Sequence, residues 1–289
     1  MMTGRVIEAI SGRCAVYADG GVFDCAVKGV FRKSSLFPKA GDVVDFDVIA
    51  EKEGNVTAIR ERKNTFIRPA VSNVDIMLIV SSLSSPPPDP ENIDKMTAIC
   101  EHYGVEPVII FTKSDIATDA SVSDVYKNAG YKVFVVSNAD TEGVNKIKNL
   151  ISGKLAVLTG FSGVGKSTLL NRLCDGAESA VGPLSEKLGR GMNTTRRATL
   201  FRSEDGFIAD TPGFSSLDIT MCIDASKEDI KDLFPEFSEF GQCRFVDCLH
   251  LEGTKGCEVC RALKDGKIAP SRYKSYLKFY EAFASLKRY

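Results

Sequence analysis

Along residues 1 to about 65, apolar and polar positions alternate in short runs at 5–10, 14–17, 22–27, 43–48 and 55–59. Turn-forming stretches separate them: Ser11-Gly12, Asp19-Gly20-Gly21, residues 38–42 and Glu53-Gly54-Asn55. Five short strands bounded in this way predict a small β-barrel of the OB-like kind. From about residue 66 the pattern changes. Longer and largely apolar runs at 74–80, 107–111, 132–136 and 155–158 alternate with helical stretches, which predicts a parallel sheet covered on both faces. Asp89 is placed to cap a helix with Pro90 at its first position and Gly104 as its stop. A second helix is expected over 141–151, and 198–202 with 206–209 predict a hairpin pair. Residues 84–90, with three consecutive prolines, cannot be regular structure. Near the end, Tyr273, Tyr276, Leu277, Tyr280, Phe283 and Ala284 recur at helical spacing and predict the inner face of a terminal helix, so that its lysines and arginines face out. The chain is therefore expected to be multidomain: an OB-like barrel over 1–65, an α/β domain over 66–218, and a mostly helical domain over 219–289.

The chemistry centres on Gly160-Phe161-Ser162-Gly163-Val164-Gly165-Lys166-Ser167-Thr168, which follows the 155–158 strand and precedes a helical 169–173. A strand, a glycine-rich turn and a helix start in that order form a phosphate cradle. Backbone N–H groups converge on anionic oxygens, Lys166 reaches the β- and γ-phosphates, and the Ser167 hydroxyl can ligate Mg²⁺. A nucleoside triphosphate site follows.

Bulk composition narrows the partners. Hydrophobic residues make up 44% and charged residues 26% of 289, and the formal net charge is −1, so no global field announces a nucleic acid or a membrane. No run approaches the roughly 18 apolar residues a membrane-spanning helix needs, and the N-terminus lacks an apolar signal region, so a cytoplasmic protein is expected. Local charge differs from the total: residues 261–289 carry eight basic and two acidic side chains. A basic helix of this kind suits contact with an RNA backbone, as do Lys28, Arg32, Lys33 and Lys39 interleaved with Phe31 and Phe37.

The nine cysteines divide into two sets. Cys14, Cys25, Cys100, Cys174 and Cys222 stand singly and are expected to be small buried hydrophobes. Cys243, Cys248, Cys257 and Cys260 crowd together with His250, a spacing suited to a closed, structural zinc site in a reducing compartment. Spacing alone allows either Cys257 or Cys260 as the fourth ligand. His102 is expected to be an ordinary side chain.

Three loops at strand ends bear on the base. Thr112-Lys113-Ser114-Asp115 offers a carboxylate that can accept two N–H bonds from guanine, with the Lys113 stem along the base. Ser137-Asn138-Ala139 can offer a backbone N–H to the guanine carbonyl. Asp210-Thr211-Pro212-Gly213 pairs a carboxylate suited to Mg²⁺ with a glycine able to sense the γ-phosphate. Two other classes fit parts of the pattern. One is an ATP-using P-loop enzyme, although the chain lacks a Leu-Ser-Gly-Gly signature and an acidic residue after Asp210. The other is an RNA-binding module merely stabilised by nucleotide.

The order of these loops is unusual, because the guanine loops precede the phosphate loop. In this the chain resembles a circularly permuted GTPase, and most closely the ribosome small-subunit-dependent GTPase family known as RsgA. The resemblance spans barrel, permuted GTPase domain and metal-binding tail. It implies a monomeric cytoplasmic GTPase that takes GTP/GDP, Mg²⁺ and one structural Zn²⁺, is stimulated by the 30S subunit and its rRNA, and assists late maturation of that subunit. The implied zinc ligands are Cys243, Cys248, His250 and Cys257, with Cys260 spare. The segment 189–196 resembles the family's first switch, with Thr195 a Mg²⁺ ligand beside Ser167 and Asp210. Asn193 stands where the family usually has His, and an amide can orient a water but not take its proton. Thr112 stands where the family usually has Asn. Phe214 occupies the place of a water-positioning Gln, and slow turnover without a partner is expected.

Overall fold

A computed structural model describes residues 1–10, 12–27, 31, 37–174, 198–203, 205–210 and 218–286. Its first five strands are β1 (Met2–Ile10), β2 (Arg13–Ala18), β3 (Gly21–Val27), β4 (Val43–Ala50) and β5 (Glu53–Ile59). They close a barrel in the order β1-β2-β3-β5-β4, with β3 and β5 parallel and β1 returning antiparallel to β4. Val6, Cys14, Val16, Cys25, Val44, Phe46 and Val56 fill it with no exposed surface. The first strand begins three residues earlier than its alternation predicts, since Met2 pairs with Phe46 and Gly4 with Val44. Gly4 hid this start: a side chain there would lie 2.5 Å from Val16 and 2.7 Å from the Tyr17 carbonyl, so the position must be bare.

A buried carboxylate helps tie the barrel to the segment after it. Asp42, fully buried, accepts from Arg62 Nη2 at 2.7 Å and Nε at 2.8 Å, from the Lys39 backbone N–H at 2.7 Å and from the Ser72 hydroxyl. A bidentate Arg and two further donors satisfy a charge that burial alone would expel. Beside it Gly41 has φ +92, and a Cβ would fall 2.0 Å from the Ser72 carbonyl oxygen.

Six further strands form one sheet. They are β6 (Ile76–Ser82), β7 (Glu106–Thr112), β8 (Lys132–Val135), β9 (Leu155–Thr159), β10 (Thr199–Ser203) and β11 (Gly206–Asp210), in the order β10-β11-β9-β6-β7-β8. Every residue of β6 and β9 is buried, the mark of strands covered on both faces. The expected hairpin is present, with β10 antiparallel to β11, and β11 runs parallel to β9. The α-helices of four residues or more among the described residues are α1 (Pro90–Tyr103), α2 (Ser121–Asn128), α3 (Thr141–Ile151), α4 (Lys166–Leu173), α5 (Glu258–Lys264) and α6 (Pro270–Ala284). α1 is bounded as expected: Asp89 accepts from the Asn92 N–H, Pro90 opens the helix, and Gly104 closes it at φ 62.

Two compact units can be distinguished. One comprises 1–77, 144–159 and the described part of 167–214. The barrel meets the hairpin there, with the Arg202 guanidinium 4.9 Å from the Tyr17 ring centre and Tyr17 edge-on to Phe207 at 5.7 Å. The other comprises 78–143, 160–166 and the described part of 215–289. In it α6 lies against α1 around a cluster of Phe234, Phe237, Tyr273, Tyr276 and Phe279, all buried.

One expectation for α6 is corrected. Its arginines and lysines were all expected on the outer face, yet Arg272 is 1% exposed. It sits on the buried side because two acidic partners wait there: Glu236 accepts Nε at 2.7 Å and Nη2 at 2.9 Å, and Asp94 of α1 accepts Nη1 at 2.9 Å. Thr97 and Tyr131 take the remaining donors. Ala284, expected on the inner face, is exposed in the last turn. The five scattered cysteines are buried as expected. Phe31 packs against the barrel core whereas Phe37 is 45% exposed, and Lys28, Arg32 and Lys33 lie outside the described residues. Among the described residues, no helix is long and apolar enough to cross a membrane.

Candidate nucleotide site and metal centre

The glycine-rich turn leaves β9 at Thr159 and enters α4 at Lys166. Its path needs glycine at three points. Gly160 has φ +144 and a Cβ there would meet the Val80 carbonyl oxygen at 2.2 Å, while Gly163 and Gly165 have φ +80 and +97. Phe161 and Gly165 are half-buried, Val164 is buried, and Ser162, Gly163, Ser167 and Thr168 face solvent. The Lys166 ammonium donates to the Phe161 carbonyl at 2.6 Å, so its stem folds back over the loop.

Two side chains draw the 112–115 loop to this turn. Thr112, last residue of β7 and buried, brings its hydroxyl 2.6 Å from the Val164 carbonyl and 3.1 Å from that of Ser81. A hydroxyl has one proton to give, and the shorter contact is the one it serves best. Lys113, with a left-handed backbone (φ 58), donates to the Gly163 carbonyl at 2.7 Å and to that of Ser85. Asp115 stands exposed in the short 3₁₀ turn Ser114–Ile116. Next to it, the Ser114 N–H donates to Val136 and the Val136 N–H to Phe111, which sets 137–139 beside 112–115. Asn138 and Ala139 are exposed, and the Ala139 N–H lies 3.3 Å from the Ser137 hydroxyl. The structure thus brings together Thr112, Lys113, Ser114 and Asp115, Ser137, Asn138 and Ala139, and residues 160–166.

Asp210 ends β11, in register with Leu158 of β9. Asn193, Thr195, Gly213 and Phe214 lie outside the described residues. Sequence reasoning missed the Thr112 and Lys113 ties. It also missed that the irregular stretch after β6 borders the phosphate loop, where Pro86 would sit 3.6 Å from a Cβ at Gly163.

In the tail, the ligating atoms of Cys243, Cys248, His250 and Cys257 all lie within 4.8 Å of one another. His250 turns Nδ1 inward, 3.6 Å from Cys243 Sγ and 3.4 Å from Cys257 Sγ, and those two sulfurs are 3.9 Å apart. Four donors around a zinc ion, with bonds of about 2.3 Å to sulfur and 2.0–2.1 Å to nitrogen, would be roughly 3.5–3.8 Å apart. Donor type and spacing therefore fit that ion. The Glu258 N–H donates to Cys243 Sγ at 3.3 Å and the Cys260 N–H to Cys257 Sγ at 3.4 Å, bonds that favour thiolates. Burial pushes the free thiols of Cys248 and Cys257 up, and a divalent cation reverses that preference. Cys260 Sγ faces elsewhere, 3.5 Å and 3.4 Å from the carbonyls of His250 and Leu251. His102 stacks edge-on with Tyr103.

Comparison with known proteins bears on the whole chain. The family model described as RsgA GTPase matches residues 59–220, and that of the RsgA N-terminal domain matches 3–56. A protein of Staphylococcus saprophyticus named small ribosomal subunit biogenesis GTPase RsgA is 41% identical over 99% of both chains. Its namesake in Agathobacter rectalis is 37% identical over the full length of both. Among solved structures, YloQ, described as a circularly permuted GTPase, superposes with a TM-score of 0.80 at 30% identity, covering 100% of this chain and 97% of that one. YjeQ from Thermotoga maritima superposes at 0.79 with 29% identity, over 99% of each.

Proposed function

This chain belongs to the RsgA GTPase family, and we propose that it hydrolyses GTP as a biogenesis factor of the small ribosomal subunit. The observation that carries the reading is the side-chain tie between base loop and phosphate loop, Thr112 to Val164 and Lys113 to Gly163. Loops so joined hold one nucleotide by both ends.

The roles follow from the chemistry of each position. Backbone N–H groups of 160–168 surround the phosphates, and Lys166 leaves the Phe161 carbonyl to neutralise the β- and γ-oxygens. Asp115 accepts the two guanine N–H groups that adenine lacks, with the Lys113 stem along the ring, and Ala139 offers its N–H to the guanine carbonyl. Ser167, Thr195 and Asp210 hold Mg²⁺, which when bound screens the phosphate charge. Gly213 reports the γ-phosphate, and Asn193 orients the attacking water. With an amide at 193 and Phe214 at the place of a glutamine, neither side chain removes a proton, so turnover is slow until the 30S subunit rearranges the switches or supplies a polar group. Cys243, Cys248, His250 and Cys257 hold one structural zinc that keeps the tail folded for rRNA contact. The protein acts as a cytoplasmic monomer, with a barrel over 1–65, the permuted GTPase domain over 66–218 and the zinc domain over 219–289.

Competition binding tests the base assignment. GTP and GDP are expected to displace a fluorescent guanine nucleotide and ATP to fail, while Asp115→Asn shifts preference toward xanthine nucleotides. Equal binding of ATP, or an Asp115→Asn variant with unchanged preference, would remove Asp115 from the base site.

A further inference from the structure

Cys260 is absorbed by neither the nucleotide site nor the cluster of four ligating atoms, yet its surroundings are specific. Cys257 is the N-terminal cap of α5, with extended backbone (φ −86, ψ 117), so its sulfur turns back over the first turn and accepts the Cys260 N–H at 3.4 Å. Residues three apart around one helical turn have Cα atoms about 5 Å apart. That lies inside the roughly 4.4–6.8 Å window that a disulfide needs. A cavity of about 660 Å³ is lined by Cys257, Cys260, Tyr273 and Gly253, among others. Cys257 itself is 4% exposed and Cys260 half-buried, and both residues line this cavity, which brings a small solute next to the pair. The Cys260 thiol rests on the carbonyls of His250 and Leu251, and Tyr273 also donates to the His250 carbonyl, at 2.7 Å.

We propose that Cys257 and Cys260 form a peroxide-sensitive thiol pair, in which oxidation of the proposed zinc ligand Cys257 is resolved by Cys260 into a reversible disulfide. The inference rests on the zinc reading above. The Cys257 thiolate attacks one oxygen of hydrogen peroxide; the O–O bond breaks, one water leaves after protonation, and Cys257 becomes a sulfenic acid. The Cys260 sulfur then attacks the Cys257 sulfur, giving up its proton as the S–O bond breaks and a second water leaves. Two thiols lose two electrons, and one peroxide takes them up. The new S–S bond removes one thiolate from the metal, leaving Cys243, Cys248 and His250, and draws Cys260 off the His250 and Leu251 carbonyls. Zinc is released, and a thiol reductant with added zinc restores the site. Cys260 thereby keeps Cys257 from further, irreversible oxidation.

The test uses the full-length protein, with zinc measured first. Trypsin cuts after Lys255 and Arg261, so both cysteines fall in the peptide 256–261, whereas a Cys243–Cys257 link would join two peptides. After treatment with about one equivalent of hydrogen peroxide and alkylation of the remaining thiols, the 256–261 peptide is expected unalkylated and two hydrogens lighter. Zinc is expected in solution by a chromophoric chelator, and dithiothreitol with zinc reverses both. Cys260→Ser is expected to purify with the same zinc content but, after excess peroxide, to carry a Cys257 sulfinic acid and fail to regain zinc, where wild type under the same excess still yields the disulfide. A Cys243–Cys257 link, a fully alkylated 256–261 peptide, or equal recovery by Cys260→Ser would overturn the proposal. Protein that purifies without zinc would sink the zinc reading instead, while its peptide map still decides whether the pair forms.

Discussion

Replacing Arg272 with methionine separates the buried ion cluster from the packing around it. The wild-type guanidinium makes two bonds to Glu236, one to Asp94, and one each to Thr97 and Tyr131, and lies 4.6 Å from the Phe234 ring centre. Burial would lower its pKa, but Tyr131, Asp94 and Glu236 carry it well above the ordinary arginine value, so the charge is held in place. Methionine fills much of the volume but leaves two carboxylates, 0% and 5% exposed, with no cation. Removing one partner of a buried pair costs about 3–5 kcal/mol. At about 3 kcal/mol per molar urea the unfolding midpoint falls by roughly 1 M or more. The chain has no tryptophan, so far-UV circular dichroism is the suitable probe. Burial already pushes the Asp94 carboxyl up. A carboxyl raised in the folded state stabilises the fold below its unfolded pKa, and that contribution is lost as pH rises through the folded value. Losing Arg272 raises it further, so the deficit of Arg272→Met shrinks as pH falls. Adding Asp94→Asn and Glu236→Gln to Arg272→Met should recover most of the loss at neutral pH. If the triple variant were no more stable than Arg272→Met, the charge argument would fail and the loss would belong to packing.

Three other outcomes are expected. Thr112→Val keeps the shape of the side chain but removes the hydroxyl from Val164. It should weaken GTP and GDP alike by about 5–10-fold, the size of one hydrogen bond of about 1 kcal/mol or slightly more, with circular dichroism unchanged; unaltered affinity in a fluorescence titration would show that the tie is idle. Cys243→Ser should lose most of its zinc by elemental analysis and expose residues 241–260 to protease, and a variant that kept its metal would exclude Cys243 as a ligand. Lys166→Ala should bind triphosphate at least about tenfold more weakly, the effect of losing the cation at the β- and γ-oxygens; unchanged affinity would remove Lys166 from the phosphate site.

Much of this molecule was legible because its signals are local. The alternation in 43–48, the uninterrupted apolar character of β6 and β9, the Asp89-Pro90 start and Gly104 stop of α1, and the Gly160–Ser167 spacing each need only a few neighbouring residues to be recognised. So does the cysteine and histidine cluster, whose chemistry is carried by residue type. What escaped depends on partners distant in sequence. The helical pattern places Arg272 in solvent, because nothing near it announces Asp94, 178 residues earlier. The buried Asp42 looked like part of a polar turn until Arg62 and Ser72 folded onto it. By sequence Thr112 is only a departure from the usual asparagine. Its hydroxyl meets the phosphate loop 52 residues later, a closeness that only the sheet order creates.

The central claim is that the nucleotide cycle serves the small ribosomal subunit. Phosphate release from GTP by purified protein, measured with and without isolated 30S subunits, tests it directly. The account predicts slow release alone and an increase of at least about tenfold when subunits are added, abolished in Lys166→Ala. Full-rate hydrolysis by the free protein, unchanged by 30S subunits, would contradict it.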